Sequence, residues 1–445
     1  MNDKVELIQK NPLKAFIILG IPIILLLIFN ESYTILDTYF LAKLGNSVII
    51  AISYISQIVY FLNRTAKGVG RGVSSMIARL IGARDYENIN NIVLHGILLL
   101  VVIAVIFQAI FFIEGEYLLR TVFKIAEYRL IQSYLMVLVG LIFLVFFSEY
   151  LVEILNAEGN TRLSTGIMSM GVILNVVLDY LFIFVFNLNI MGASLATASS
   201  YLVTCMMFFY IYSVRKSQIV KFDYTDFSFD FHIIKKILIN AVPIILDSLI
   251  VTLTGLVVIS TMKNFEQAVT VVAYTLIIRL QLFLFTPTQG LSRSGNIVIG
   301  HLFGAERYEN VKKQLNQSIA VSLTLNLVMA LVLIFFSNDI IGFFTTQYVV
   351  LEEVRNILFL VIWELIVFSV IYNANQALVA IGRSSFSLYS VFVKFAFLII
   401  FTLILCYALQ FGRNGAFLSL VMADSVQAFF AYGVFRWLIY KKENE

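Results

Sequence analysis

The chain carries twelve long apolar runs, and that feature leaves few folds open to it. They lie at roughly 15–41, 48–77, 92–113, 130–154, 164–186 and 190–213, then 237–262, 269–297, 317–336, 354–380, 387–409 and 415–438. A helix crosses the roughly 30 Å of hydrocarbon with about 20 mostly apolar residues. Inside lipid, only helices and closed barrels satisfy every backbone N–H and C=O, and these runs are too long and too uniform for barrel strands. Composition agrees: 60% of the 445 residues are hydrophobic and 13% are charged, against about 25% charged in a soluble domain. Mean hydropathy is +0.92. The expectation is an all-α membrane protein of twelve transmembrane helices.

The formal charge of +4 is too small to point to nucleic acid. Cys205 and Cys406 both lie inside apolar runs, so no disulfide framework follows. His95, His232 and His301 show no metal-ligand spacing and are expected at helix ends or in loops. The opening MNDKVELIQKNPLK has charges of both signs, and the first apolar run lacks a small-residue cleavage site, so it is expected to stay as a span. With the N-terminus inside, the inner segments hold eighteen Lys and Arg. The outer loops hold seven (Lys43, Arg120, Lys124, Arg129, Lys263, Arg355 and Arg413). This asymmetry places both termini in the cytoplasm, for a multi-pass protein of the cell membrane.

The chain also repeats itself. SSMIARLIGARDYEN (74–88) is matched by NIVIGHLFGAERYEN (296–310), with Gly82, Ala83, Tyr86, Glu87 and Asn88 recurring 222 residues later. Ile21-Pro22 matches Val242-Pro243, Ala157-x-Gly159 matches Ala380-x-Gly382, and Gly192-Ala193 matches Gly415-Ala416, at offsets of 221 to 223. Six spans per half make a parallel repeat, two six-helix bundles related by a pseudo-two-fold axis along the membrane normal. The expected division is an N-terminal lobe at 1–214, a cytoplasmic linker at 215–236 and a C-terminal lobe at 237–445.

Pro22, Asp37, the GARDYEN box, NAEGN after span four, NVVLD in span five and GASLAT in span six together resemble the multidrug and toxic compound extrusion (MATE) transporters, nearest the archaeal and DinF-like branch. The resemblance covers essentially the whole chain. It implies a secondary transporter that exports a small organic substrate by alternating access against inward H+ or Na+.

Asp37 is lodged in TILDTYFLAK, where a carboxylate costs roughly 2.5–3.5 kcal/mol on insertion scales. Its repeat counterpart is Val258 or Ile259. Asp179 corresponds to Thr402, Asn175 to Leu398 and Thr197 to Leu420. One half keeps these polar groups and the other does not, so packing alone does not require them. Asn175 and Asp179 are four apart and share a helix face. Both acids fall in the outer half of the membrane. Two neighbouring carboxylates cannot both stay ionised cheaply, so the pair is expected to hold a proton, or a sodium ion with neutral oxygens from Asn175 and Thr197. In the resembling family the matching positions of the N-terminal lobe couple the cation. The carry-over is Asp37, Asn175, Asp179 and Thr197, with Na+ at Asp37 and Asp179 as one option, and no other cofactor is implied.

Span two holds Arg64, Lys67 and Arg71 on one side of a helix, and Arg71 recurs as Arg293 in span eight. Arg279 and Lys394 are further intramembrane bases. A basic cleft of Arg64, Lys67, Arg71, Arg279 and Arg293 would suit phosphate or carboxylate, which raises an alternative: a flippase for an anionic lipid-linked saccharide. Against it stand Glu31, Glu149, Glu153, Asp247, Glu364 and Asp424, also in or near spans. Glu149 and Glu153 share a face of span four and are placed to neutralise the stripe. Pro22, with its twin Pro243, and the unmatched Pro287 are candidate hinges. No Walker loop, zincin motif or Ser-His-Asp set appears, so an enzyme is not expected. The expected partners are a small-molecule or lipid-like substrate and membrane lipids, with no nucleic acid, and a single chain holding both repeats is expected to work as a monomer.

Overall fold

The computed structural model describes residues 3–44, 46–122, 127–214, 219–220, 222, 227–265, 268–337, 339–340 and 348–444. Helix dominates, as backbone sealed from water requires. A short helix α1 (Asp3–Lys10) precedes α2 (Pro12–Ala42), α3 (Asn46–Ala83) and α4 (Glu87–Tyr117). Then come α5 (Tyr128–Gly140), α6 (Ile142–Ala157), α7 (Thr161–Tyr180) and α8 (Asn189–Val214). The second half holds α9 (Phe231–Phe265), α10 (Ala268–Gly304), α11 (Tyr308–Phe335), α12 (Tyr348–Ala380), α13 (Ser384–Thr402) and α14 (Gly412–Asn444). With α1 set aside and α5/α6 taken together, the long helices follow the twelve expected spans. Among the described residues, eight contain a stretch long and apolar enough to cross a membrane, and the α5/α6 pair makes a ninth.

That pair departs from the expected straight span at 130–154: α5 and α6 meet at a 57° bend. Leu141 sits at the break with φ −108° and ψ 21°. A break in hydrocarbon strands carbonyls, which must find other donors. Gln108 of α4 supplies them, donating from Nε2 to the carbonyls of Val139 (3.1 Å) and Gly140 (2.9 Å).

The helix stops repeat as the sequence does. α3 ends with Arg84 at φ 61° and α10 with Glu306 at φ 57°. In each, the next N–H returns to a carbonyl five residues back, Asp85 to Leu80 (2.9 Å) and Arg307 to Leu302 (3.0 Å), the closure of a Schellman stop. Gly159 (φ 78°) and Gly382 (φ 76°) end α6 and α12 the same way. Both α7 and α13 finish in a π-helical turn, Leu181–Val185 and Leu403–Ala408. A Cβ on Gly192 would meet the Phe182 carbonyl carbon at 2.8 Å, and one on its twin Gly415 would meet that of Leu405 at 3.0 Å. Glycine is required where α8 and α14 press on those turns.

The chain divides into two compact units, Leu25–Val242 and Asp3–Ile24 with Pro243–Glu445. They differ from the expected lobes in two stretches. The first turns of α2 group with the second unit, and α9 up to Val242 groups with the first. Packing explains both. Ser294 of α10 donates to the Phe16 carbonyl (2.6 Å), and a Cβ on Gly290 would strike the Ile24 backbone at 2.9 Å. In the other unit, Gly72 of α3 leaves only 3.2 Å between its ideal Cβ and the Ala241 nitrogen. The divisions fall beside Pro22 and Pro243, the repeat-related prolines, both buried within their helices.

The described parts of the linker are fastened to the first unit. Val220 N–H donates to Glu158 Oε1 (2.8 Å), and Asp230 N–H donates to His95 Nε2 (2.8 Å). A backbone N–H only donates, so Nε2 of His95 is the acceptor and its Nδ1–H donates to the Asn91 carbonyl (2.7 Å). Phe227 and Phe229 flank the ring at 5.0 and 5.8 Å. His95 is therefore a buried anchor inside α4, where a helix-end or loop position was expected.

Candidate functional site

α7 forms because its apolar residues suit lipid, and the last turns of its buried face carry Asn175 and Asp179. Asn175 is 4% exposed and Asp179 0%, one turn apart. The π-turn follows at once, and its Phe184 ring meets Phe40 of α2 edge-on at 5.9 Å. Lys43 lies over the same ring, 5.9 Å from its centroid. These contacts hold the C-terminal end of α2 against α7 and its π-turn, and half-buried Asp37 comes close enough to Asp179 for their charges to interact. Gly192 lets α8 approach the π-turn, which carries Thr197 to the same place. Thr197 Oγ1 donates to the Ala193 carbonyl (3.0 Å), and it lies within hydrogen-bond reach of the Tyr134 hydroxyl from α5. Tyr134 feels the charges of both Asp37 and Asp179.

All four expected coupling residues thus meet within one unit, joined by Tyr134, which sequence reasoning missed. Its sequence signal was weak: it is one of 22 tyrosines, many of them in apolar runs.

The site is electrostatically incomplete. Both Asp179 oxygens and the Asn175 amide nitrogen are buried without a hydrogen-bond partner. An ionised carboxylate so placed is strongly destabilised unless something neutralises it. A proton on Asp179, or a small cation among Asp37, Asp179 and the Thr197 and Tyr134 oxygens, removes that deficit.

Two of the three bases in the α3 stripe pair with acids of their own unit. Lys67 Nζ lies 3.2 Å from Glu149 Oε1, and Arg71 Nε lies 3.5 Å from Glu153 Oε1. Arg64 stacks over Tyr60, 4.8 Å from the ring centroid. Arg293 is half-buried on α10 in the other unit and has an interaction of its own. The side chain of Arg279 lies outside the described residues. The case for a free cationic surface, and with it the flippase reading, loses its main support because Glu149 and Glu153 offset the two central charges. Pro22 and Pro287 lie inside continuous α2 and α10.

Long apolar helices in two repeated units, with the buried Asp179 unpartnered beside Asp37 in the first, define a membrane transporter of the secondary type. The family model described as MatE matches residues 22–181 and 243–404, one match in each half. The chain belongs to the MatE family. It is 26% identical over 441 residues to the multidrug export protein MepA of Staphylococcus aureus (strain N315), covering 96% of this chain and 94% of that protein. It is also 26% identical over 366 residues to an FAD transporter of Shewanella oneidensis, covering 79% and 78%. Among solved structures, the outward-facing conformation of a multidrug resistance MATE family transporter superposes with a TM-score of 0.93 at 23% identity, over 100% of this chain and 99% of that one.

Proposed function

We propose that this protein is a multidrug exporter that moves small organic compounds out of the cell in exchange for inward H+ or Na+. The observation that carries the coupling half of this reading is the buried Asp179 carboxylate, unpartnered and beside Asp37. Loading by a cation removes the cost of the buried charge, and unloading restores it. A cation drives a conformational cycle only if it binds one state more tightly than the other. An acid pair whose neutralisation depends on how tightly α2, α5, α7 and α8 close around it meets that condition.

In this cycle Asp37 and Asp179 take the cation, Asn175, Thr197 and Tyr134 supply neutral groups, and Pro22 and Pro243 let their helices bend. Pro287 is a further place where α10 yields. The family membership and the MepA relative support the export reading. The basic excess in the inner loops supports cytoplasmic termini, and the two repeats within one chain support a working monomer in the cell membrane. The test is transport by purified protein in proteoliposomes, with pH and sodium gradients imposed separately, against cationic and anionic drugs and FAD. Movement of at least one compound under one gradient is expected. No movement under either would overturn the proposal.

A further inference from the structure

In the second unit, the Tyr308 end of α11 and the Asn444 end of α14 form an exposed seam that the coupling site does not use. The two helices run in opposite directions and are tied at two levels. Lys312 Nζ lies 2.8 Å from Glu443 Oε2, and the Tyr432 hydroxyl donates to Asn316 Oδ1 (3.0 Å). Residues four apart share a helix face, so Arg436 stands one turn beyond Tyr432, on the side of α14 that carries both ties. Lys313 follows Lys312 on α11. Lys313 and Arg436 are both exposed, and neither makes an ion pair among the described residues. Glu443 is already taken by Lys312.

The seam lies at a membrane surface. Arg436 stands 24 residues beyond the Gly412 start of α14, roughly 36 Å along the helix at 1.5 Å per residue. The hydrocarbon core takes about 30 Å of that length, so Arg436 comes where the head groups begin. Lys313 lies in the second turn of α11, at the same end. Trp437 (56% exposed) and Tyr440 (67%) accompany Arg436 on α14. Such rings concentrate at this depth, where one end is apolar and the other wet. The repeat separates the bases from the scaffold. At offsets of 222 and 223 the first half holds Asn91 in place of Lys313 and Ser213 in place of Arg436, so the repeated helices do not need these charges.

We propose that Lys313 and Arg436 hold the phosphate of an anionic phospholipid in the α11–α14 seam, with Trp437 and Tyr440 beside its glycerol and upper acyl chains. Arg offers a fork of N–H donors that matches phosphate oxygens, and Lys adds a point charge. Basic pockets between membrane helices suit anionic head groups. A zwitterionic lipid brings its own cation beside the phosphate, and the two bases repel it. A bound lipid adds a third tie between α11 and α14. On the orientation proposed above the seam faces the inner leaflet, but the head-group chemistry holds in either leaflet and is independent of transport.

The test is fluorescence quenching in phosphatidylcholine vesicles. The chain has two tryptophans, Trp363 and Trp437, so Trp363→Phe leaves Trp437 as the reporter beside the seam. Brominated phosphatidylglycerol is compared with brominated phosphatidylcholine as quencher. Phosphatidylglycerol is expected to be preferred at Trp437 by roughly fivefold for each base, and Lys313→Gln/Arg436→Gln to bring the two lipids level. Lys235→Gln, at an exposed base of the other unit, is expected to leave the preference unchanged. No preference in the Trp363→Phe protein overturns the proposal. So does a preference kept in the double variant, or one lost equally in Lys235→Gln. Should the double variant not fold, the single substitutions decide: a preference unchanged in both overturns the proposal, and a fall in both supports it.

Discussion

Glu149→Gln is expected to destabilise the protein through Lys67. In the structure Lys67 Nζ is 3.2 Å from Glu149 Oε1, with side-chain exposures of 23% and 7%. At that separation two unit charges attract by about 5 kcal/mol at an effective dielectric near 20. Desolvation offsets most of this gain in the native pair. Removing only the acid leaves the half-buried ammonium without its Glu149 partner, a change that costs up to about 3–5 kcal/mol where a pair is fully buried. The expected result is a large fall in the midpoint of thermal unfolding in detergent. Replacing both partners by Met removes both charges and is expected to recover most of the loss. The same measurement on Glu153→Gln reports the Arg71 pair, at 3.5 Å. If Glu149→Gln melts like the wild type while the double substitution melts lower, the pairing argument is wrong.

Three other substitutions follow from packing. An ideal Cβ on Gly96 would lie 2.3 Å from the Tyr150 hydroxyl, which is held by its bond to the Val93 carbonyl (2.8 Å). Gly96→Ala is therefore expected to cost about 1–3 kcal/mol by denaturant unfolding, with partial recovery in Gly96→Ala/Tyr150→Phe. Gln108→Leu removes the donor for two carbonyls at the α5/α6 bend and is expected to cost about 1–3 kcal/mol per orphaned group, read as a lower melting temperature. His95→Ala removes the acceptor for Asp230 N–H, worth about 1 kcal/mol. Cleavage of the linker near 227–230 by added protease is expected to quicken roughly fivefold.

The twelve spans and the repeat were legible because lipid imposes a strong rule: long apolar runs, broken by the same turn residues at the same offsets. The acids that meet in the first unit stood out in sequence for a related reason. A lone Asp in an apolar run stands out, and its missing twin says that the scaffold does not need it. What stayed hidden depends on neighbours that sequence spacing does not report. The bend at Leu141 lies between two apolar stretches, and only the Gln108 side chain on another helix makes it tolerable. The pairing of Lys67 with Glu149 was one of two readings until α3 and α6 were seen packed together. Tyr134 looked like any other tyrosine in an apolar run. The exchange of the first turns of α2 and α9 between units is marked in sequence by Pro22 and Pro243, but a proline does not say which body each half joins.

The central claim is that a cation loaded at Asp37 and Asp179 drives export. The most direct measurement is gradient-driven transport in proteoliposomes by wild type, Asp37→Asn and Asp179→Asn, each confirmed folded by its unfolding midpoint. Each single substitution is expected to abolish transport coupled to the pH or sodium gradient while leaving the protein folded. Wild-type rates in both variants would contradict the account.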